Sequence, residues 1–219
     1  MVKEDFWSRP VVNKIIAVLL TSKEPLTGYE ISKRADIKNK ANLYNILKEL
    51  HKRGILKIEE VKQGNKTSKF HSINFEGLLS LINEHYGGNL DQKEIKKVSE
   101  TFKPLWDELV KTFGENMNTT PLEGVNIDPV EIFAFFIKYT SEQAQQLKKD
   151  RKLKRLKKKV KDVKVIEHIF KVMELDDKIL KKLSSLSIPQ SPILNILILF
   201  ANQLEKARKF TSSLLSDLS

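Results

Sequence analysis

The stretch from Ile37 to Phe75 constrains the fold of this chain more than any other segment. Its first half predicts an amphipathic helix, because apolar residues recur at spacings of three and four: Leu43, Ile46, Leu47 and Leu50. Gly54 stands where a glycine commonly ends a helix. Two short β-prone runs follow, around residues 55–61 and 70–75, and the turn-forming sequence Gln63-Gly64-Asn65-Lys66 separates them. The stretch therefore predicts a helix followed by a β-hairpin.

The predicted helix has a polar side opposite its leucines. It starts after Asn39, a favourable N-cap residue, and presents Ala41, Asn45 and Lys48 away from the apolar stripe. Asparagine can pair bidentately with adenine, and lysine can reach guanine acceptors or phosphates. A polar face on a single helix is more commonly just solvated. The interpretation as a nucleic-acid surface therefore depends on the neighbouring hairpin, which carries four lysines suited to phosphate contacts, Lys57, Lys62, Lys66 and Lys69.

Two helices are predicted ahead of this stretch. The run VVNKIIAVLL at residues 11–20 follows Pro10, a residue favoured in the first turn of a helix. Thr27-Gly28-Tyr29-Glu30 then matches a capping box, which predicts a short second helix over residues 28–35. Another helix, FEGLLSLI, is predicted after the hairpin.

This order of elements resembles the winged helix-turn-helix of bacterial and archaeal transcription regulators, close to the PadR-like and MarR-like groups. The segment ANLYNILKELHKRGIL is similar to their recognition helix, and KIEEVKQGNKTSKFHSIN to their wing. The resemblance covers about residues 6–86. It implies that Asn42, Tyr44, Asn45 and Lys48 lie in or beside the major groove, and that Asn65 and Lys66 form the tip of the wing.

The candidate DNA-binding residues fall into two groups. In and before the recognition helix they are Lys38, Asn39, Lys40, Asn42, Tyr44, Asn45 and Lys48. In the wing they are Lys62, Asn65, Lys66 and Lys69.

The predicted fold class is mainly α, with two domains. Residues 1–86 form a winged helix-turn-helix of three helices and a hairpin, and residues 87–219 form an all-helical dimerisation or regulatory domain. Pro104 is expected to kink or interrupt a helix that runs to Gly114. Asp128-Pro129 predicts the start of an aromatic-rich core helix.

The net charge of +11 is distributed in blocks. It is +6 over residues 1–82, −5 over 83–147, +9 over 148–164 and +1 over 165–219. The most basic block predicts a cationic helix with a narrow apolar seam. Three interpretations stay open for it: packing on its own domain or a second subunit, a second nucleic-acid contact, and anionic lipid. The candidate second basic surface comprises Lys152, Arg155, Lys158 and Lys159.

The last predicted helix alternates apolar gaps of three and four, as in a heptad pattern. We predict that it forms a dimer seam, and a helix that docks within the same chain is the alternative. The seam residues are Leu197, Phe200, Leu204, Ala207, Leu214 and Leu218.

No sequence motif predicts an enzyme. The chain has no cysteine, no glycine-rich phosphate loop and no nucleophile elbow, and its four histidines stand singly. We therefore expect no catalytic residues, no cofactor and no metal. No apolar run reaches the roughly 20 residues that span a bilayer, so we expect no membrane association and a cytoplasmic protein.

The predicted function is a homodimeric, sequence-specific regulator of transcription that binds double-stranded DNA. The alternative is a winged-helix protein-interaction module whose basic helix contacts RNA or an acidic partner. A small-molecule effector stays open, with no residue assigned to it.

Overall fold

The computed structural model describes residues 6–63, 66–117, 129–149 and 164–188. Over these residues the protein is mainly helical with a small three-stranded antiparallel sheet, which confirms the predicted class at that level. In chain order the elements are a short 3-10 helix (Phe6–Ser8), α1 (Pro10–Leu20), β1 (Leu26–Thr27), α2 (Gly28–Arg34), α3 (Lys40–Lys52), β2 (Leu56–Gln63), β3 (Lys66–Ile73), α4 (Phe75–His85), α5 (Gln92–Met117), α6 (Pro129–Lys149), α7 (Lys164–Met173) and α8 (Asp177–Ser184).

Two expectations about element ends were wrong, and the helix interruption expected at Pro104 is absent. Phe75 begins α4 instead of ending a strand, because the backbone leaves the strand at the extended N-cap residue Asn74. Helix α5 runs without interruption through Pro104, and a kink there, the other expected outcome, stays a prediction. Pro104 removes only one backbone donor, and the buried side chains of Phe102 and Trp106 on either side hold the helix against its neighbours. The same helix continues past Gly114, since one interior glycine costs only about 1 kcal/mol.

The sheet has the strand order β1-β3-β2. The predicted hairpin is present, with pairs from Leu56 opposite Ile73 to Gln63 opposite Lys66. Strand β1 was not predicted, because two residues are too few to show an alternating pattern. It pairs with the other edge of β3, where Leu26 lies opposite His71. The hairpin is therefore joined to the segment between α1 and α2.

The ends of α2 and α3 are fixed by local hydrogen bonds. At the start of α2, the Thr27 hydroxyl accepts from the Glu30 amide while the Glu30 carboxylate accepts from the Thr27 amide, which confirms the capping box. At the end of α3, the Ile55 amide donates to the carbonyl of Leu50, and the Gly54 amide donates to that of His51. Gly54 has φ +75°, so this end is a Schellman motif.

The part of the chain after residue 86 packs directly on the helices before it. The Trp106 indole Nε1 donates to the carbonyl of Leu20 at 2.9 Å, and the Ser187 amide donates to that of Tyr86 at 3.0 Å. The Phe75 and Phe133 rings meet edge to face at 5.4 Å. The described residues up to Ser187 belong to one compact unit. The division into domains of residues 1–86 and 87–219 stays a prediction.

A partly buried ion pair joins α5 to α8. The Lys182 ammonium lies 2.6 Å from a Glu94 carboxylate oxygen, and their side chains are 18% and 15% exposed. Glu94 also accepts from the Asp91 amide at the start of α5. The hydrogen bond from Lys182, and after it the hydrogen bond from the Asp91 backbone amide, lower the pKa of Glu94 below its usual value. In the described part of the chain, no helix is long and apolar enough to cross a bilayer.

Candidate nucleic-acid interface

Helix α3 buries its leucine and isoleucine side chains on one side and exposes most of its polar side chains on the other. The predicted core residues Leu43, Ile46, Leu47 and Leu50 are all at most 4% exposed. Every candidate contact residue in this region is exposed: Lys38, Asn39, Lys40, Asn42, Tyr44, Asn45 and Lys48. These residues therefore lie together on α3 and just before it. Their side chains are exposed, as predicted from the sequence.

Asn39 is exposed and also caps the start of α3. Its side-chain oxygen accepts a hydrogen bond from the Asn42 amide at 3.0 Å, so it caps α3 as predicted. Its carboxamide oxygen is therefore engaged within the protein. Asn42 and Asn45 lie further along the helix, and both side chains are exposed.

The hairpin contributes exposed cations beside α3. Lys57 and Lys62 are exposed on β2. Lys69 on β3 is exposed too, but its ammonium lies 2.9 Å from Glu60 across the strand pair, so its charge is partly balanced. Asn65 and the Lys66 side chain lie outside the described residues. Of the two described wing candidates, Lys69 is therefore the one with an acidic neighbour, and Lys62 is the other exposed cation.

The base of the hairpin is attached to the end of α3 and to α4. The Asn74 side chain donates to the Gly54 carbonyl at 2.8 Å, and its backbone amide donates to Ile55. Gly77 on α4 lies against the backbone of Gly54, and a Cβ at Gly77 would be only 2.0 Å from the Gly54 carbonyl oxygen. The orientation of the hairpin relative to α3 is therefore set by backbone packing at Gly54.

His71 lies buried on the central strand, between Leu26 and Ile58 of the neighbouring strands. It is 5% exposed, and its Nδ1 has no hydrogen-bond partner. Burial lowers the pKa of His71 below its usual value, and the positive fields of His51 and Lys69 lower it further. Glu60 lies opposite Lys69 in the strand pair and forms an ion pair with it.

We expect this histidine to make the protein less stable in mild acid. With a folded pKa below the unfolded value of about 6.5, the unfolded chain binds more protons, so stability falls as the pH drops below about 6.5. Urea unfolding at pH 7.5 and pH 5.5 should show this loss in the wild type. The loss should be smaller in His71→Gln, and an equal loss in both proteins would contradict the assignment to His71.

Tyr44 makes a contact that the sequence did not reveal. It is 55% exposed, yet its ring lies against the first turn of α2 at Gly28. From the sequence, Gly28 was interpreted only as part of the capping box that begins at Thr27. The sequence did contain one signal of this contact. Gly28 is the first residue of α2, and a glycine there leaves room for a side chain of the next helix.

Two predicted sites fall outside the described residues. These are the second basic surface at Lys152, Arg155, Lys158 and Lys159, and the dimer seam from Leu197 to Leu218. Within the described ranges, no group of three or more histidine, aspartate or glutamate residues is arranged to hold a metal ion.

Comparison with known proteins does not assign a family. The chain matches no protein-family model, and no curated protein resembles it significantly.

Proposed function

We propose that this protein is a homodimeric, sequence-specific DNA-binding regulator of transcription. In this proposal residues 6–86 act as a winged helix-turn-helix, with α3 as the recognition helix and β2–β3 as the wing. The observation that carries the proposal is the exposed face of α3, on which asparagines, lysines and a tyrosine replace the apolar residues of the opposite side.

The dimensions of α3 suit the major groove. Its 13 residues extend over about 20 Å, and a helix of ordinary diameter enters a groove about 12 Å wide. Ala41 on the exposed side allows close approach to a thymine methyl group, while Asn45 offers both a donor and an acceptor to adenine. Base reading is therefore assigned to the middle of α3.

In this proposal the wing contacts the DNA phosphates. Lys62 and Lys57 lie on β2, and Asn74 with Gly54 holds this hairpin against the end of α3. A wing in this position contacts the backbone next to the groove occupied by α3. Such contacts fix the register and supply affinity, but they do not discriminate between bases.

Two copies of the reader would bind half-sites about one helical turn apart. The residues that we expect to pair the subunits, Leu197 to Leu218, belong to the predicted heptad helix. Their role and the cytoplasmic location are parts of the same proposal.

Substitutions in α3 and in the wing should have different consequences. Asn45→Ala should weaken binding to the preferred duplex by about 1 to 3 kcal/mol and relax the preference at one base pair. Lys62→Ala should weaken binding to all duplexes alike and reduce the slope of log affinity against log salt by about one. Fluorescence anisotropy over a salt series measures both quantities.

Lys69→Ala is the matched control for the wing. Because Glu60 already balances Lys69, its removal should change the salt slope less than Lys62→Ala does. Duplex binding that is unaffected by Asn45→Ala and Lys62→Ala would contradict the proposal. If residues 148–164 alone accounted for nucleic-acid retention, the protein-interaction alternative would replace it.

A further inference from the structure

The buried histidine of the sheet lies among apolar side chains. His71 is 5% exposed, and its register neighbours on the flanking strands are Leu26 and Ile58. Leu56 and Ile73 lie two residues further along on the same face of the sheet, and both are buried. The Nδ1 atom of His71 has no hydrogen-bond partner. A positive charge on this ring would therefore carry a large desolvation cost as long as the strands stay paired.

The ionisable groups around His71 do not favour its protonated form. The elements packed against β3 are β1, β2, α1 and α2. Glu30 on α2 is bound to Thr27, and the other ionisable side chains on these elements are exposed: Lys14, Tyr29, Lys33, Arg34, Lys57, Glu59, Glu60 and Lys62. Burial lowers the pKa of His71, and two basic groups, His51 on α3 and Lys69 on β3, lower it further.

The edge formed by β1 is the weaker side of this layer. β1 pairs with β3 over two residues, with Leu26 opposite His71 and Thr27 opposite Phe70, whereas β2 pairs with β3 over eight residues. A backbone hydrogen bond contributes a net free energy of only about 1 kcal/mol, so separating β1 from β3 costs less than separating β2 from it. Opening of the β1 edge is therefore the less costly way to bring water to the His71 ring.

A movement of β1 would reach α3 through three consecutive residues. Leu26 lies beside His71, and Thr27 both ends β1 and caps α2. Gly28 follows and lies against the Tyr44 ring of α3, since a Cβ at Gly28 would be 2.8 Å from Tyr44 Cε1. Residues 26–28 thus link the buried histidine to an exposed side chain of the proposed recognition helix.

We infer that His71 is a pH switch, whose protonation in mild acid separates β1 from β3 and thereby weakens duplex binding by α3. At neutral pH the imidazole is uncharged and the three strands stay paired. The opened state, in which the ring is hydrated, binds a proton more tightly than the paired state does, so opening is favoured as the pH falls below about 6.5. The effect on DNA binding rests on the proposed function, whereas the opening itself does not.

Amide hydrogen exchange of the full-length protein, followed residue by residue by NMR, tests the opening without DNA. After correction for the intrinsic exchange rate, protection of the Leu26 and His71 amides should fall by up to about tenfold between pH 7.5 and pH 5.5, because the open state takes up one more proton. Protection within α1 is the internal reference and should change less. His71→Gln and His71→Met each remove the titrating group and should abolish the difference between Leu26 and α1.

Duplex affinity at constant salt tests the consequence, with a mixed-sequence 40-bp duplex as the probe. Wild-type affinity should fall by up to about tenfold between pH 7.5 and pH 5.5. The direction is informative, because protonation of exposed histidines adds positive charge and by itself tightens binding to DNA. The matched control is His85→Gln, which removes an exposed histidine on α4 and should keep the acid loss. His71→Gln and His71→Met should lose it.

The outcomes separate the switch from the proposed function. Equal protection of Leu26 at the two pH values in the wild type, or the same loss of protection in the His71 variants, would overturn the switch. If the β1 edge opens in acid but wild-type affinity does not fall, the link from β1 to α3 is wrong. If the wild type binds no duplex at either pH while its β1 edge opens in acid, the proposed function fails and the opening at His71 is supported.

Discussion

Trp106→Ala is expected to lower the free energy of unfolding by about 3 to 5 kcal/mol. Trp106 is 6% exposed and meets the Phe133 ring edge to face at 4.8 Å and the Phe136 ring at 5.2 Å. Its Nε1 donates to the Leu20 carbonyl, one of the acceptors that the end of α1 cannot satisfy within the helix. The substitution therefore creates a cavity and leaves that carbonyl without its indole donor. Urea unfolding followed by far-UV circular dichroism measures the loss.

Trp106→Phe separates the two contributions. It keeps most of the buried ring and removes only the N–H donor, so it should cost about 1 to 3 kcal/mol less than the alanine substitution. A cost below about 1 kcal/mol for Trp106→Ala would show that the helices after residue 86 do not stabilise α1. That result would favour independent folding of residues 1–86.

Gly77→Ala is expected to destabilise the protein by about 2 to 3 kcal/mol, although alanine is the better helix former. The added methyl group would lie 2.0 Å from the Gly54 oxygen and 2.7 Å from its carbonyl carbon. Both atoms are backbone at the end of α3, so relief requires α4 or the hairpin to move. Duplex binding should weaken as well, because the wing would shift relative to α3.

Gly88→Ala is the matched control for this prediction. A Cβ at Gly88 would lie 2.3 Å from the Asn83 side-chain oxygen, which can rotate away and would lose its hydrogen bond from the Leu90 amide. It should therefore cost less than Gly77→Ala and leave duplex affinity unchanged. Equal stability losses for the two variants would contradict the account of backbone packing at Gly54.

The surface helix could be predicted from sequence because its signals are local. The spacing of Leu43, Ile46, Leu47 and Leu50 identified the buried side of α3, and Asn39 and Gly54 identified its ends. Helical period and capping chemistry depend on residues within one or two turns. Once the buried side of α3 was identified, the opposite side could be predicted to be exposed.

The contacts that orient this helix could not be predicted in the same way. The Trp106 bond to Leu20 joins residues 86 positions apart, and the Asn74 bond to Gly54 joins residues 20 apart. Strand β1 forms only because the edge of β3 is available to it. Burial of His71 likewise depends on the strands on both sides of β3 and on α1 and α2, which pack against β3. These features depend on tertiary packing, for which a single sequence carries no local pattern.

The most direct test of the central claim is selection from a random pool of duplex DNA with the full-length protein. The account predicts enrichment of two related half-sites whose centres lie about one helical turn apart, and Asn45→Ala should relax the preference at one position in each half-site. A wild type that enriches no sequence, and that binds the selected and scrambled duplexes equally, would contradict it.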